Sequence, residues 1–168
     1  VKRPMAVSPT GETAIKAALR NDPVVQGLVL TQQARVVTEM GLMHGNCRAD
    51  LSVIGTDTLH GFEIKSSADT LARLPAQIEY YSAVFDRCTV VVATKHFDAA
   101  AALVPLWWGL VEVQGNAQGF RLLWHRIPRP NFAADVLKRL GLLWREELLN
   151  LLELEGQETE VDRTLLDA

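Results

Sequence analysis

Two short runs that alternate between apolar and polar residues, at 49–54 and 59–65, constrain this chain more than any other feature. The residues that join them, Gly55-Thr56-Asp57-Thr58, are typical of a turn. Alternation with a period of two, interrupted by such a joint, predicts a β-hairpin. The hairpin then fixes which side chains share a face of the sheet.

The predicted register places charged residues together on one face of this hairpin. If Ile54 pairs with Leu59, then Asp50 lies directly opposite Glu63, and opposed Cβ atoms are about 4.5–5.5 Å apart. Lys65 follows Glu63 by two residues and shares its face. The opposite face is predicted to be core and carries Leu51, Val53, Phe62 and Ile64.

Two carboxylates at that separation repel each other by about 3 kcal/mol at an effective dielectric constant of about 20. A divalent cation between Asp50 and Glu63 would convert this repulsion into binding. Mg²⁺ is typically held by one or two carboxylates together with water and phosphate oxygens. The alternative is a surface hairpin with scattered charges, or a register that slips and separates the two acids.

Asp50 followed by Glu63-Ile64-Lys65 resembles the signature of the PD-(D/E)XK, or restriction-endonuclease-like, nuclease superfamily, with Ala49 in place of the Pro. Gln77 and Tyr81 are similar to the Gln-x-x-x-Tyr element of the branch related to RecB-type nucleases. A longer resemblance is to an uncharacterised bacterial and phage-borne family of that superfamily. Its stretches are Arg48-Ala49-Asp50, Gly61-Phe62-Glu63-Ile64-Lys65-Ser66, Asp69-Thr70-Leu71-x-Arg73-Leu74, Trp107-Trp108-Gly109 and Leu142-Leu143-Trp144-Arg145-Glu146-Glu147.

Periodicity and turn residues predict an α/β chain. The predicted elements are helices at 12–20, 75–85, 98–103, 132–140 and 142–154, and strands at 34–42, 49–54, 59–65, 88–94, 109–114 and 120–124, with 23–30 either a short helix or an extended connector. Pattern and resemblance together give an αβββαβ core with a mixed central sheet, followed by a hairpin and helices.

The length suits one domain. We expect a flexible N-terminus at 1–10, a nuclease-like domain at 11–152 with its core at about 11–96 and an extension at 97–152, and an acidic tail at 153–168. With 48% hydrophobic and 22% charged residues, the chain is predicted to be globular. The expected compartment is the cytoplasm, because no signal-peptide core, membrane-length apolar run or disulfide framework is evident.

The net charge of −3 hides an uneven distribution. The tail at 153–168 carries six acids and one Arg, which leaves a net charge of +2 for the rest of the chain. Residues 121–145 hold six basic residues and one acid, Asp135. This stretch predicts contacts to phosphates, although a solvated helix face is the alternative.

The superfamily resemblance implies that Asp50 and Glu63 bind Mg²⁺ or Mn²⁺ with the Ile64 backbone carbonyl as a third ligand. Lowering the pKa of a lysine from about 10.4 to near neutrality costs about 4 kcal/mol, so we expect Lys65 to stay protonated, orient the attacking water and offset transition-state charge. A salt bridge with a purely structural role is the alternative. Glu39 is the candidate for a further metal ligand, and Glu12 competes with it.

Gln77 and Tyr81 share a face of their predicted helix and are expected to position the water, Lys65 or a phosphate. Core packing is the alternative for Tyr81. Trp107 and Trp108 either stack on unpaired bases or pack in the core. The residues predicted to contact DNA are Ser66, Ser67, Arg73, Arg121, Arg126 and Arg129.

These features predict a metal-dependent deoxyribonuclease that hydrolyses phosphodiester bonds and, as the resemblance implies, leaves a 5′-phosphate. DNA is the expected partner, no membrane is expected, and the sequence separates neither DNA from RNA nor endonuclease from exonuclease. The alternatives are a catalytically silent nuclease-fold module that binds DNA or protein, and a phage-associated interaction protein. The leucine-rich C-terminal stretch suits either packing on the sheet or a homodimer contact.

Overall fold

A computed structural model of the chain describes residues 11–42, 47–116, 119–135, 138–139 and 141–142. The helices are α1 (Glu12–Asn21), α2 (Pro23–Thr31), α3 (Leu74–Val84) and α4 (Phe97–Leu103), with a 3₁₀ turn at Thr94–His96. The strands are β1 (Arg35–Leu42), β2 (Cys47–Ile54), β3 (Leu59–Lys65), β4 (Arg87–Ala93), β5 (Gly109–Asn116) and β6 (Gly119–Arg126).

One six-stranded sheet organises these elements, and its strands lie in the order β1-β2-β3-β4-β5-β6. The pairs β1–β2, β2–β3 and β5–β6 are antiparallel, whereas β3–β4 and β4–β5 are parallel. The parallel neighbours are joined by crossovers that contain α3 and α4, as parallel strands require. The predicted α/β class with a mixed sheet is confirmed.

Local sequence explains where α2 begins, in the segment that the sequence left ambiguous. The side chain of Asp22 accepts a hydrogen bond from the Val24 backbone N–H at 2.9 Å, and Pro23 occupies the first turn. Both features are favourable at a helix N-terminus. The segment 23–30 is therefore helical, and α1 and α2 together precede the three antiparallel strands.

The sheet separates two apolar cores, because successive strand residues point to opposite faces. On β4, Val91 packs with α1 and α2, whereas Val90 and Val92 pack with α3 and α4. Trp108 is buried in the second core and donates its indole N–H to Ser82 Oγ at 3.2 Å. Core packing, rather than base stacking, is thus the role of Trp108.

The segment after β6 differs from its prediction in part. Residues 132–133 form a turn instead of the start of a helix. Most of the helix predicted at 142–154, the acidic tail at 153–168 and the N-terminus at 1–10 lie outside the described residues. Among the residues that the structure describes, no helix has both the length and the apolar character needed to cross a membrane.

Candidate metal-binding active site

The predicted hairpin register is confirmed for four residue pairs, but the ladder ends before the predicted pair of Asp50 and Glu63. The ladder between β2 and β3 runs from Ile54↔Leu59 to Leu51↔Phe62. At the next position, the Asp50 carboxylate accepts a hydrogen bond from the Ile64 backbone N–H at 2.6 Å. Where the ladder ends, the Asp50 side chain therefore provides the hydrogen-bond acceptor that the Ile64 backbone N–H needs.

A second irregularity lies on β1, directly across from Asp50. The β1–β2 pairs Thr38↔Leu51 and Met40↔Ala49 flank Glu39, whose φ is +56°. A non-glycine residue in this left-handed region costs about 1–3 kcal/mol, and such residues cluster at functional sites. Glu39 and Asp50 therefore form one row across two neighbouring strands.

Both strands change faces at this row. On β1, Val36 packs with the α1/α2 core, whereas Met40 packs with the α3/α4 core. On β2, Leu51 belongs to the first core and Ala49 to the second. Strict alternation would keep each of these pairs on one face, so the strands bend at Glu39 and Asp50.

The five residues predicted to be catalytic form one hydrogen-bonded network. Glu63 is 1% exposed and Lys65 is 4% exposed. Lys65 Nζ donates to Glu63 Oε1 at 2.6 Å and to Gln77 Oε1 at 2.8 Å. The Tyr81 hydroxyl donates to Glu63 Oε2 at 2.7 Å and lies 3.3 Å from the backbone nitrogen of Asp50, which donates to it. Gln77 thus positions Lys65, and Tyr81 positions both acids.

Three carboxylates also gather beside this network. One oxygen each from Glu12, Glu39 and Asp50 lies within 4.8 Å of the others. Lys16 Nζ is 2.5 Å from Glu12 Oε1 and also contacts Glu39 Oε1, and Arg48 Nη1 is 3.5 Å from Glu39 Oε2. Both acids considered as further metal ligands, Glu39 and Glu12, are therefore at the site. Lys16 was missed, and its spacing of four from Glu12 was the available signal.

The pKa values reflect crowded negative charge. Burial and the neighbouring Glu63 charge raise the pKa of Asp50 to about 7. The hydrogen bond from Lys16 holds the pKa of Glu39 below its usual value. Burial opposes the charged form of Lys16, but hydrogen bonds to Glu12 and Glu39 raise its pKa overall. Burial and the Glu63 charge thus disfavour the ionised form of Asp50.

A cleft of about 580 Å³ opens onto these groups. The acids and Lys65 line it together with Arg73, Gln77 and Tyr80. Arg73 is exposed, so its predicted contact with a nucleic acid backbone is compatible with its position. Four of the five residues in the network therefore share one cleft with Arg73.

Ser66 and Ser67 follow Lys65, and they differ in exposure. Ser66 is buried, and its hydroxyl donates to Asp69 Oδ2 at 2.6 Å, while its backbone N–H donates to the same oxygen at 2.7 Å. Asp69 therefore stabilises this turn. Ser67 is exposed. The DNA contacts predicted for both serines stay predictions, and Ser66 has a structural role in the turn.

The structure does not bring the three arginines of the C-terminal basic stretch to this cleft. Arg121 and Arg126 are on β6, three strands from β3 and thus about 14 Å away at a spacing of about 4.8 Å per strand. Arg121 Nη2 donates to Gln114 Oε1 at 3.1 Å, and Arg126 Nε donates to the Trp108 carbonyl at 2.6 Å. Arg129 Nη2 donates to the Leu106 carbonyl at 3.2 Å. Any DNA contact they make would extend well beyond the acidic site.

Comparison with known proteins identifies the family of this chain. The sequence profile of the family described as Bacteriophage P4 protein cII matches residues 5–167. The chain belongs to the bacteriophage P4 cII family. Protein cII of Enterobacteria phage P4 is 31% identical to this cII-family chain over 145 residues, which are 86% of this chain and 54% of that protein.

This cII-family chain thus spans about half the length of the relative that it matches. Among solved structures, it is similar to a protein of unknown function from Silicibacter pomeroyi. The two share 19% identity with a TM-score of 0.46, over 80% of this chain and 89% of the other.

Proposed function

We propose that this cII-family protein is a metal-dependent nuclease of the PD-(D/E)XK type that hydrolyses phosphodiester bonds of DNA. The observation that carries the proposal is the shared cleft of Asp50, Glu63 and Lys65, with Gln77 bonded to the lysine and Tyr81 bonded to Glu63. Glu63 and Lys65 are bonded to each other on β3, and they line the same cleft as Asp50 on the adjacent strand β2.

The donor set fits a hard divalent cation such as Mg²⁺ or Mn²⁺. Carboxylate and carbonyl oxygens are the protein ligands that Mg²⁺ prefers. Burial and the neighbouring Glu63 charge raise the pKa of Asp50, and a bound cation would favour its ionised form. Asp50, Glu63 and the Ile64 carbonyl would hold the ion, and Glu39 or Glu12 would complete its protein ligands. When bound, the ion supplies Lewis-acid polarisation of a phosphoryl oxygen and lowers the pKa of a bound water.

Lys65 supplies a positive charge fixed in place. Its ammonium has three N–H groups, and two of them are used by Glu63 and Gln77. The third has no partner among the residues that the structure describes, and it can donate to the attacking water or to a phosphate oxygen. Because the group is already oriented and buried, it stabilises the charge that develops on the phosphate without reorganising during the reaction.

The surrounding residues position the reacting groups. The Tyr81 hydroxyl bridges Glu63 and the Asp50 backbone, and this keeps the two acids at a fixed separation. Arg73, exposed at the cleft, offers a charge for the phosphate backbone. Cys47 and Cys88 are both free and buried thiols, which suits the reducing cytoplasm that we propose as its compartment.

The second candidate is a nuclease-fold module that binds DNA or protein without cutting. The observation in its favour is that Lys65, Glu63, Gln77 and Tyr81 satisfy one another. A network of this kind is also compatible with a purely structural role. A cleavage assay separates the two candidates.

The experiment incubates purified protein with single-stranded, nicked and branched DNA, and with RNA, in the presence and absence of Mg²⁺ or Mn²⁺. We expect metal-dependent cleavage by the wild type that is lost in Asp50→Asn and Lys65→Met. Asp57→Asn is the matched control, because Asp57 is an exposed carboxylate at the opposite end of the same hairpin.

Equal cleavage by all variants would indicate a contaminating nuclease and contradict the proposal. Metal-dependent DNA binding without cleavage would favour the silent module.

A further inference from the structure

Lys16 is positioned unlike an ordinary surface lysine. It lies on α1, one turn after Glu12, and its side chain is only 14% exposed. Its ammonium nitrogen is 2.5 Å from Glu12 Oε1 and also contacts Glu39 Oε1 on β1. The charge is therefore held between two carboxylates from different elements, and both acids line the cleft of the proposed metal site.

The position of this ammonium group is one that a metal ion could take. Oxygens of Glu12, Glu39 and Asp50 lie within 4.8 Å of one another, so one cation can reach all three. An ammonium group and a metal ion both bind carboxylate oxygens, but they repel each other at the same oxygens. While Lys16 Nζ binds Oε1 of Glu12 and Oε1 of Glu39, these two oxygens are not available to a second ion.

We propose that Lys16 occupies a second cation position, so that the site takes one divalent ion fewer than its carboxylates could hold. The inference rests on the proposed function, which supplies the first ion at Asp50 and Glu63. Two-metal sites in nucleases hold their ions about 3.5–4 Å apart. Here Asp50 would be the carboxylate shared between the first ion and the Lys16 ammonium, and the site would work with one ion and two lysines.

The test counts ions rather than activity. Mn²⁺ is titrated into the full chain by calorimetry, and the paramagnetic resonance of bound Mn²⁺ is recorded at saturation. We expect Lys16→Met to bind one Mn²⁺ more than the wild type, and we expect the added ion to be exchange-coupled to the first. Arg20→Met is the matched control, since Arg20 lies one turn further along α1, is exposed, and carries the same charge. It should bind as many ions as the wild type.

The number of ions in the wild type tests the proposed function, whereas the difference between Lys16→Met and the wild type tests this inference. An equal number of ions in the two proteins overturns the inference, whether or not the wild type binds Mn²⁺. One added ion in Lys16→Met, with none in the wild type, supports the inference and contradicts the proposed function. A gain in Arg20→Met of the same size would also overturn it, because general electrostatics would then suffice.

Removing Lys16 leaves like charges together and could prevent folding, so two further variants keep the test decisive. Lys16→Gln retains an N–H donor for the carboxylates and should also bind one more ion than the wild type. Combining Lys16→Met with Glu12→Gln removes one ligand of the added ion and should return the count to that of the wild type. Circular dichroism of each variant establishes that the folded protein is being titrated.

Discussion

Replacing Asp50 with asparagine should stabilise the metal-free protein at neutral and alkaline pH. In the wild type, the Ile64 backbone N–H donates a hydrogen bond to the Asp50 carboxylate at 2.6 Å. Asparagine keeps an acceptor oxygen for this hydrogen bond. It removes the negative charge that burial and Glu63 disfavour. The substitution therefore separates the electrostatic cost of the site from its hydrogen bonding.

The size of the effect follows from the pKa of Asp50, which is 3.8 in its ordinary state and about 7 in the folded protein. Because folding raises this pKa, the folded state binds the proton more tightly, and the ionised form destabilises it as the pH rises from 3.8 through 7. At about 1.4 kcal/mol per pH unit, the cost is about 4 kcal/mol at pH 8 and falls to about 0.5 kcal/mol near pH 4.

Urea unfolding of the wild type and Asp50→Asn at pH 4, 6 and 8, with a chelator present, measures this difference. The Asn variant should exceed the wild type in free energy of unfolding by an amount that grows with pH. Asp57→Asn, which removes an exposed carboxylate, should match the wild type throughout. Mg²⁺ at about 100 times its dissociation constant should then add about 2.7 kcal/mol to the wild type and nothing to Asp50→Asn. If Asp50→Asn is no more stable than the wild type at pH 8, the reasoning about the buried Asp50 carboxylate is wrong.

Three further substitutions have defined outcomes. Tyr81→Phe removes the hydroxyl bonded to the buried Glu63 and should lower the free energy of unfolding by about 1–3 kcal/mol and also slow cleavage; unchanged values for both would contradict its positioning role. Burial lowers the pKa of His60 to about 3. The free energy of unfolding should therefore fall by about 2 kcal/mol as the pH drops from 7 to 5, because the unfolded state binds the proton more tightly. Urea unfolding of His60→Gln should show a smaller fall. Gly61→Ala places a methyl carbon about 2.5 Å from the Phe85 ring. This substitution should lower the free energy of unfolding by about 1–3 kcal/mol, and with it the melting temperature. An unchanged melting temperature would show that the ring moves freely.

The hairpin shows how far local pattern determines this site. Period-two alternation and the four-residue joint sufficed for the register from Ile54↔Leu59 onward, and they placed Glu63 and Lys65 on one face. Helical spacing likewise put Gln77 and Tyr81 on one side of α3, where each binds a member of the pair. These relations depend on residues close in sequence or on one short turn, so they can be predicted from the sequence.

The features that sequence could not supply depend on the sheet as a whole. Glu39 has a left-handed φ, and β2 changes the face that it presents to each core at Asp50. Period-two alternation predicts neither feature, because both depend on how neighbouring strands pack between the two cores. Lys16 reaches Glu39 only because α1 packs across the sheet at that row. The basic residues on β6 formed a cluster in sequence, but the strand order places them three strands away from the acids.

A crystal structure of the wild type grown with Mn²⁺ tests the central claim most directly, because anomalous scattering locates the ion itself. We predict a peak bonded to the carboxylates of Asp50 and Glu63, with Lys65 Nζ beside it, and no peak in crystals of Asp50→Asn grown in the same way. A saturating concentration of Mn²⁺ that leaves this cleft without a peak, or that places the ion away from both acids, would contradict the claim.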